Sequence, residues 1–552
     1  MNLIIYINFY FLFIFSIIGY GYFFSKLFLN NNNEINLGYC GFYGIFSLII
    51  ISYFSNLFIA QNNIFNSILL IIGIFFFLYF LFQRNLFKEK NFFLLLAIFL
   101  ILIIFILSAK THDDFPYYHF PYIHLLTVEP TSIGIGNFNH GFRTHSSIFY
   151  LSSLFSLPII NYDLVHVAPV FFLGFANFIF LRKIIDNSRG KNSNLYIVFL
   201  SLLNLALINI FFYRIGEHGT DRSAQILILL FVTELLYFIN TKDVKSSLVN
   251  ELLILIFLTV SLKPFYLIYL IFIIPLVYYQ KDKLNFFFEF FKNKIFYLCL
   301  LLLSLVLFTN FINTGCIVYP LVITCSENLV WAIPKEQVNH MNEWYQLWSK
   351  GGAAPNFRVD NKQEYIKYFN WVSNWINIYF FNKVFDYLIG LAVLAFIFLL
   401  TFKRKNSSLI INRKYLLTYS LIVILFAEWF YNHPALRYGG YHLIGLMIFI
   451  PLSFYLEKNV ILNNLLLKKI GIIIAIIFLI FLSRNLSRIS KEYNVYNYNI
   501  LLNPSYATQF QNFDIHKRIK KIKSCKTNLD SCKNDSIKSK ILFKSNVFYI
   551  DR

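Results

Sequence analysis

The chain has 552 residues, of which 58% are hydrophobic, 20% aromatic and only 14% charged, and it carries a formal charge of +21. This profile excludes a chain folded around one aqueous core. It also gives no nucleic-acid footprint, because the basic residues are scattered through short segments between apolar runs instead of being gathered on one stretch. The expected fold class is all-α, a polytopic bundle of transmembrane helices.

A crossing needs about 20 mostly apolar residues. The first run, Leu3 to about Phe24, is too long for the apolar region of a signal peptide and lacks a small-residue cleavage site, so it reads as a span. With it, runs at 38–60, 66–83, 92–108, 164–182, 195–212, 223–240, 247–262, 264–280, 294–312, 384–402, 415–431, 441–456 and 470–483 predict about fourteen spans. They make a membrane domain over 1–483, followed by a tail over 484–552. The segment SSIFYLSSLFSLPII, 146–160, is shorter and ends near Pro158, which predicts a re-entrant or interfacial helix.

Lysine and arginine in short loops set the sides. The loops holding Arg84, Lys88 and Lys90, then Arg182, Lys183, Arg189 and Lys191, then Lys403, Arg404, Lys405, Arg413 and Lys414, and finally Lys458, Lys468 and Lys469 read as cytoplasmic. The alternate loops read as outer, including 109–146 and 313–383, and so does the C-terminal tail, where ILFKSNVFYIDR could form a strand. Cys40 and Cys299 fall in spans. Cys316 and Cys325, and likewise Cys525 and Cys532, fall on the outer side, where disulfides persist. A zinc site is the alternative, at spacings wider than usual ligand pairs.

The polar residues of the outer side form several clusters. After the fourth span, THDDFPYYH brings His112, Asp113, Asp114, Tyr117 and His119; NHGFRTHSS adds Arg143 and His145. YRIGEHGTDRS supplies Arg214, Glu217, His218, Asp221 and Arg222; SLKP supplies Lys263; and AEWFYNHPALRYGGYH supplies Glu428, His433, Arg437, Tyr438 and His442. Each has a bland reading. Asp114 could cap the helix that follows, Lys263 could snorkel to headgroups, Asp221 and Glu217 could form a surface network with Arg222 and Arg214, and Trp331, Trp344 and Trp348 could be interfacial packing. Asp113 is harder to dismiss, since a second adjacent carboxylate adds repulsion without a second cap. Glu234, inside a span, needs a partner or a purpose, because a carboxylate there costs about 2.5 to 3.5 kcal/mol on insertion scales.

The order of these clusters resembles the integral-membrane glycosyltransferases of the C superfamily, such as the protein mannosyltransferases and aminoarabinose transferases. The likeness covers roughly residues 92–280 and rests on the acidic pair, the short segment SSIFYLSSLFSLPI, TDRSAQ opening one span and SLKPFYLIYLIFIIP running into another. TGCIVYP and the cysteine-bearing tail resemble an uncharacterised family of bacterial polytopic membrane proteins. The resemblance implies an inverting enzyme of the bacterial cytoplasmic membrane that takes a sugar from a polyprenyl-phosphate-linked donor to a glycan, lipid or protein acceptor. Asp113 or Asp114 would be the general base, and Arg143, Lys263 and Arg437 would stabilise the departing phosphate. Asp221 would orient the acceptor or a cation, with Mg or Mn a possible cofactor, and His112, Tyr117, His119 and His145 would line the substrate site. Two departures stand out: the lysine is followed by Pro264 instead of glycine, and no second acidic motif of the kind some relatives carry is evident. Rival classes are a polymerase or ligase of surface polysaccharide, a transporter or flippase of lipid-linked sugars, and a structural membrane protein. The scarcity of mid-span charges and the lack of repeated halves weigh against transport.

Overall fold

The computed structural model describes residues 3–29, 36–84, 86, 89–108, 112, 114–188, 193–217, 219–240, 246–280, 282–354, 357–402, 413–497, 500–501, 524, 537–542 and 545–550. The helices in order are α1 (Leu3–Phe28), α2 (Leu37–Asn56), α3 (Asn63–Arg84), α4 (Lys90–Leu102), α5 (Phe120–Val128), α6 (Ser147–Ser153), α7 (Ala168–Asn187), α8 (Leu195–Ile210), α9 (Thr220–Asn240) and α10 (Ser246–Leu262). They continue with α11 (Ile273–Tyr278), α12 (Lys283–Lys292), α13 (Lys294–Thr314), α14 (Lys335–Lys350), α15 (Lys362–Ile366), α16 (Val372–Trp375), α17 (Phe385–Thr401), α18 (Leu416–Asn432), α19 (Gly440–Asn459) and α20 (Asn464–Tyr496). Among the described residues, two strands, β1 (Ile537–Leu542) and β2 (Ser545–Ile550), pair antiparallel, so the fold is nearly all-α and not wholly so.

Among the described residues, ten helical stretches are long and apolar enough to cross a membrane. Four shorter apolar helices, Leu195–Ile210, Ser247–Leu262, Pro264–Tyr278 and Leu416–Asn432, occupy the other positions expected from the sequence. Asparagine starts many of them: Asn36, Asn194, Asn293 and Asn463 each accept a backbone N–H from the first turn of the helix they precede, satisfying donors the helix leaves open.

Burial grades from the centre outward. The inner helices α7, α8 and α9 are buried nearly all round. On α3, α17 and α20, by contrast, Phe75, Phe82, Leu400 and Leu479 each keep more than 60% of their surface exposed. Apolar belts of that size suit lipid and not water. With no hydrophobic drive between helices in lipid, close backbone contact must do the work. A Cβ on Gly21 would lie 1.7 Å from the Cys40 carbonyl oxygen and one on Gly44 would lie 1.8 Å from that of Ile17, so α1 and α2 pack through glycine. Inside the bundle, Asn177 and Asn209 exchange side-chain hydrogen bonds, and Asn204 donates to Thr233 at 2.9 Å. The fully buried Glu234 has its partner in Lys183, 2.6 Å away.

Several boundaries differ from expectation. The final part of the 313–383 loop is already helical, because the apolar run into α17 begins at Val372. Within 146–160 only the seven residues of α6 form α-helix, started by Ser146 and followed by turns around Pro158. An amphipathic helix unforeseen as an element, α12, lies between α11 and α13 with Leu284, Phe287 and Phe288 exposed. The terminal hairpin does not form a core of its own. Ile133 N donates to the Asn546 carbonyl and Phe548 N donates to that of Ile133, both at 2.9 Å, so β2 docks on the 112–146 segment.

Other contacts gather the long connections at one end of the bundle. Asn56 donates to the carbonyls of Leu126 and Glu129 at 3.2 Å, Gly134 N donates to that of Ile312 at 2.9 Å, and Trp375 Nε1 donates to that of Pro434 at 3.0 Å. Cys316 and Cys325 form a disulfide in the same region. Cys525 and Cys532 lie outside the described residues, as do Asp113 and His218.

Candidate functional site

Four charged side chains from four separate segments meet at this loop end. The Arg437 guanidinium stands at the centre: its Nη2 is 3.3 Å from Asp114 Oδ2 and its Nε is 3.1 Å from Asp221 Oδ2. Lys263 Nζ donates to the other oxygen of Asp221. The result is a chain of alternating charge, Asp114, Arg437, Asp221, Lys263.

Local sequence explains each position. Asp114 precedes a π-helical turn, Phe115–His119, in which Pro116 occupies the first turn, and its side chain makes no capping hydrogen bond. The cap reading is thereby corrected: the carboxylate turns to Arg437 and lies 3.4 Å from His112 Nδ1. Asp221 and Gln225 lie one turn apart on α9 and face the same way. Asp221 binds the Arg437 side chain and Gln225 Nε2 donates to the Arg437 carbonyl at 2.7 Å. Lys263 precedes a proline, which forces it into an extended conformation ahead of the Pro264–Phe272 turn. Its ammonium does not snorkel outward but rests 4.7 Å from the Tyr438 ring centre while paired to Asp221.

The turn carrying Arg437 is held from below. Trp429 Nε1 donates to the Ala435 carbonyl at 2.9 Å, and Leu436 N donates to Tyr379 Oη at 3.0 Å. Trp348 lies 5.4 Å from the guanidinium carbon, so this tryptophan is more than interfacial packing. Trp348 and Tyr438 also make an edge-on ring contact.

Access and charge differ along the chain. About a third of the side-chain surface of Asp114 and Arg437 is accessible, 30% and 34%, against 9% for Asp221. Burial alone would raise the Asp114 carboxyl, but Arg437, and after it His119 and His112, hold it below the usual carboxylate range. Burial lowers the Lys263 ammonium, opposed by Asp221. His119, buried against Tyr118 and Phe149, is pushed down to about 3 by burial and stays neutral near pH 7.

Other expected site residues lie elsewhere. Arg143 donates to the Gly136 carbonyl at 2.9 Å and to Tyr319 Oη at 3.4 Å, which places it with the disulfide loop and not with the carboxylates. His145 packs among Tyr53, Tyr122 and Tyr150, and Tyr117 is bonded to His140 at 3.0 Å. Of the surface network read for Asp221 and Glu217, the Glu217–Arg214 pair stands and the Asp221 half is corrected. Asp221 binds Lys263 and Arg437, whereas Glu217 binds Arg214 and, from α20, Arg488 at 3.1 Å. Gln225 is the contributor that sequence reading missed, and Trp348 the one it read as packing; Tyr438 was collected with Arg437 but given no role. Gln225 carried a usable signal, its spacing of four from Asp221 in TDRSAQ.

Among the described residues no group of three His, Cys, Asp or Glu side chains could hold a metal ion. Asp114 and Asp221 are both paired with cationic side chains.

Helix content, apolar belts and the grouping of long connections at one end define a membrane-embedded helical protein. A family model described as a domain of unknown function, DUF8201, matches residues 1–444, and the chain belongs to that family. All four residues of the charged chain fall within the matched part. No curated protein and no solved structure matches the sequence.

Proposed function

We propose that the chain is a glycosyltransferase of the bacterial cytoplasmic membrane with fourteen crossings. It would move a sugar from a polyprenyl-phosphate-linked donor to an acceptor hydroxyl at the extracytoplasmic face during cell-surface glycan synthesis. The observation that carries the reading is the convergence of Asp114, Asp221, Lys263 and Arg437 at the loop end. The basic residues Arg84, Lys90, Lys183, Lys458 and Lys469 sit near helix termini at the other end, which supports an outward-facing site by the positive-inside rule.

In this mechanism the acceptor oxygen attacks the anomeric carbon, the bond from that carbon to the donor phosphate breaks, and Asp114 takes the acceptor's proton. The negative charge that develops on the leaving phosphate is met by Arg437 and Lys263. Asp221 keeps both cations in place while they are shared with substrate. The alternating charges also couple binding to basicity. A phosphate that draws Arg437 toward itself weakens the contact holding the Asp114 carboxyl low, so Asp114 becomes a better base when the donor arrives.

The test is transfer in cells or proteoliposomes by Asp114→Asn, Arg437→Lys and Lys263→Gln variants that insert normally. Undiminished glycan transfer in all three would remove the enzymatic reading, and substrate translocation persisting in them would favour a flippase.

A further inference from the structure

A second charged region lies on the far side of the 211–222 connection, where α20 runs past the end of α8. There a cavity of about 630 Å³ is lined by Tyr213, Arg214, Arg484, Arg488, Lys491 and Glu492, among others. Its deepest cation is Arg488, only 9% exposed. One nitrogen, Nη1, reaches Glu217 at 3.1 Å and Nε stands 3.8 Å from Glu492, but the buried Nη2 has no hydrogen-bond partner among the described residues. Arg488, with its guanidinium carbon 5.9 Å from the Phe105 ring centre, forms the inner wall, and the exposed Arg484 and Lys491 supply the accessible cations.

The charge balance identifies the ligand's chemistry. Among the described residues, Arg214, Arg484, Arg488 and Lys491 face the two carboxylates Glu217 and Glu492, a local excess of two positive charges. Guanidinium groups bind phosphoryl oxygens in pairs. The position identifies its level: on α20 the apolar run 470–483 ends immediately before Arg484, whose Nη1 donates to the carbonyl of Ile210 at the end of α8. The cavity therefore opens where both helices leave their apolar stretch, with Leu486 and Val495 exposed on the same helix.

We propose that this cavity is an anion site for a phosphoryl group carrying about two negative charges, separate from the Asp114–Arg437 cluster and independent of the activity assigned to it. The phosphoryl group belongs either to a lipid headgroup or to a soluble phosphorylated molecule.

The experiment uses the full-length protein in detergent. Native mass spectrometry measures retention of phosphatidic acid against phosphatidylcholine, and thermal shift measures binding of inorganic pyrophosphate. Each is repeated on Arg484→Gln/Lys491→Gln, both exposed positions, and on Arg488→Gln. Preferential retention of phosphatidic acid that falls about tenfold or more in the double variant supports the site with a lipid ligand. A pyrophosphate shift lost in the double variant, without lipid preference, supports it with a soluble ligand. Equal retention of the two lipids with no pyrophosphate shift, or binding unchanged in the double variant, overturns it. Should Arg488→Gln fail to fold, the double variant still decides.

Discussion

Arg437 and Asp114 are 323 residues apart in sequence, yet Nη2 of one lies 3.3 Å from Oδ2 of the other. The same guanidinium holds Asp221 through Nε at 3.1 Å, so one side chain fixes the spacing of both carboxylates. Lysine cannot reproduce that fork, because its ammonium is a single point of charge. Arg437→Lys is expected to keep the net charge and the fold but lose glycan transfer by about a hundredfold or more, an effect on the scale of removing one oriented charge-stabilising donor. Wild-type transfer in this variant would show that charge alone suffices.

Asp114→Asn keeps shape and hydrogen-bonding capacity while removing the proton acceptor. General-base contributions are typically about 10² to 10⁴ in rate. A loss in that range is expected, by transfer assay, with membrane insertion unchanged and only a small drop in melting temperature in detergent, the loss of the Arg437 pairing. A drop in stability without a specific loss of turnover would make Asp114 a structural residue.

The pH dependence follows from the depressed Asp114 carboxyl. A group whose folded pKa lies below its unfolded value contributes stability above the unfolded value, about 3.9, and loses it as pH falls through the folded one. Wild type is therefore expected to exceed Asp114→Asn in melting temperature by a constant margin from pH 5 to 7. That margin should shrink to nothing as the pH is taken below about 4. A margin that instead grew on acidification would mean that the folded carboxyl is raised, contrary to the Arg437 pairing.

Lys183 and Glu234 give a test of the bundle independent of any activity. Glu234 is fully buried, and Lys183 Nζ sits 2.6 Å from it and 3.7 Å from the Tyr237 ring centre. Removing one partner strands a charge at a cost of about 3 to 5 kcal/mol, while replacing both with apolar groups can be close to neutral. Lys183→Met and Glu234→Leu alone are expected to lower the melting temperature sharply, and the double substitution to restore much of it. Additive losses would mean that the two side chains do not depend on each other.

Much of the helix pattern was legible because apolar runs near membrane length leave little choice of conformation. The site was legible in its membership: Asp114, Asp221, Lys263 and Arg437 stood out as charges at helix ends on one predicted face. Their pairing was not, since nothing local to LRYGG says that Arg437 reaches both Asp114 and Asp221. Arg143 and His145 were misplaced for the same reason, as residues of the right type and side that the chain turns toward Tyr319 and Tyr150 instead. The docking of β2 on Ile133 was also invisible, because strand pairing across more than 400 residues leaves no periodic trace in either segment.

Sidedness can be decided with the cysteines alone. Cys316 and Cys325 are joined, whereas Cys40 and Cys299 are buried thiols in apolar surroundings and should resist modification. If the loop end faces away from the cytosol, a membrane-impermeant maleimide applied to intact spheroplasts should label Cys316 and Cys325 only after reduction by an impermeant phosphine. The assay is best made in a variant with Cys525 and Cys532 replaced by serine. Labelling that requires lysis, or that proceeds without reduction, would place this loop in the reducing compartment. The Asp114–Arg437 cluster would go with it, because Tyr319 of the disulfide loop is hydrogen-bonded to Arg143, and Gly134 of the same Asp114-bearing connection is bonded to Ile312 at the end of α13.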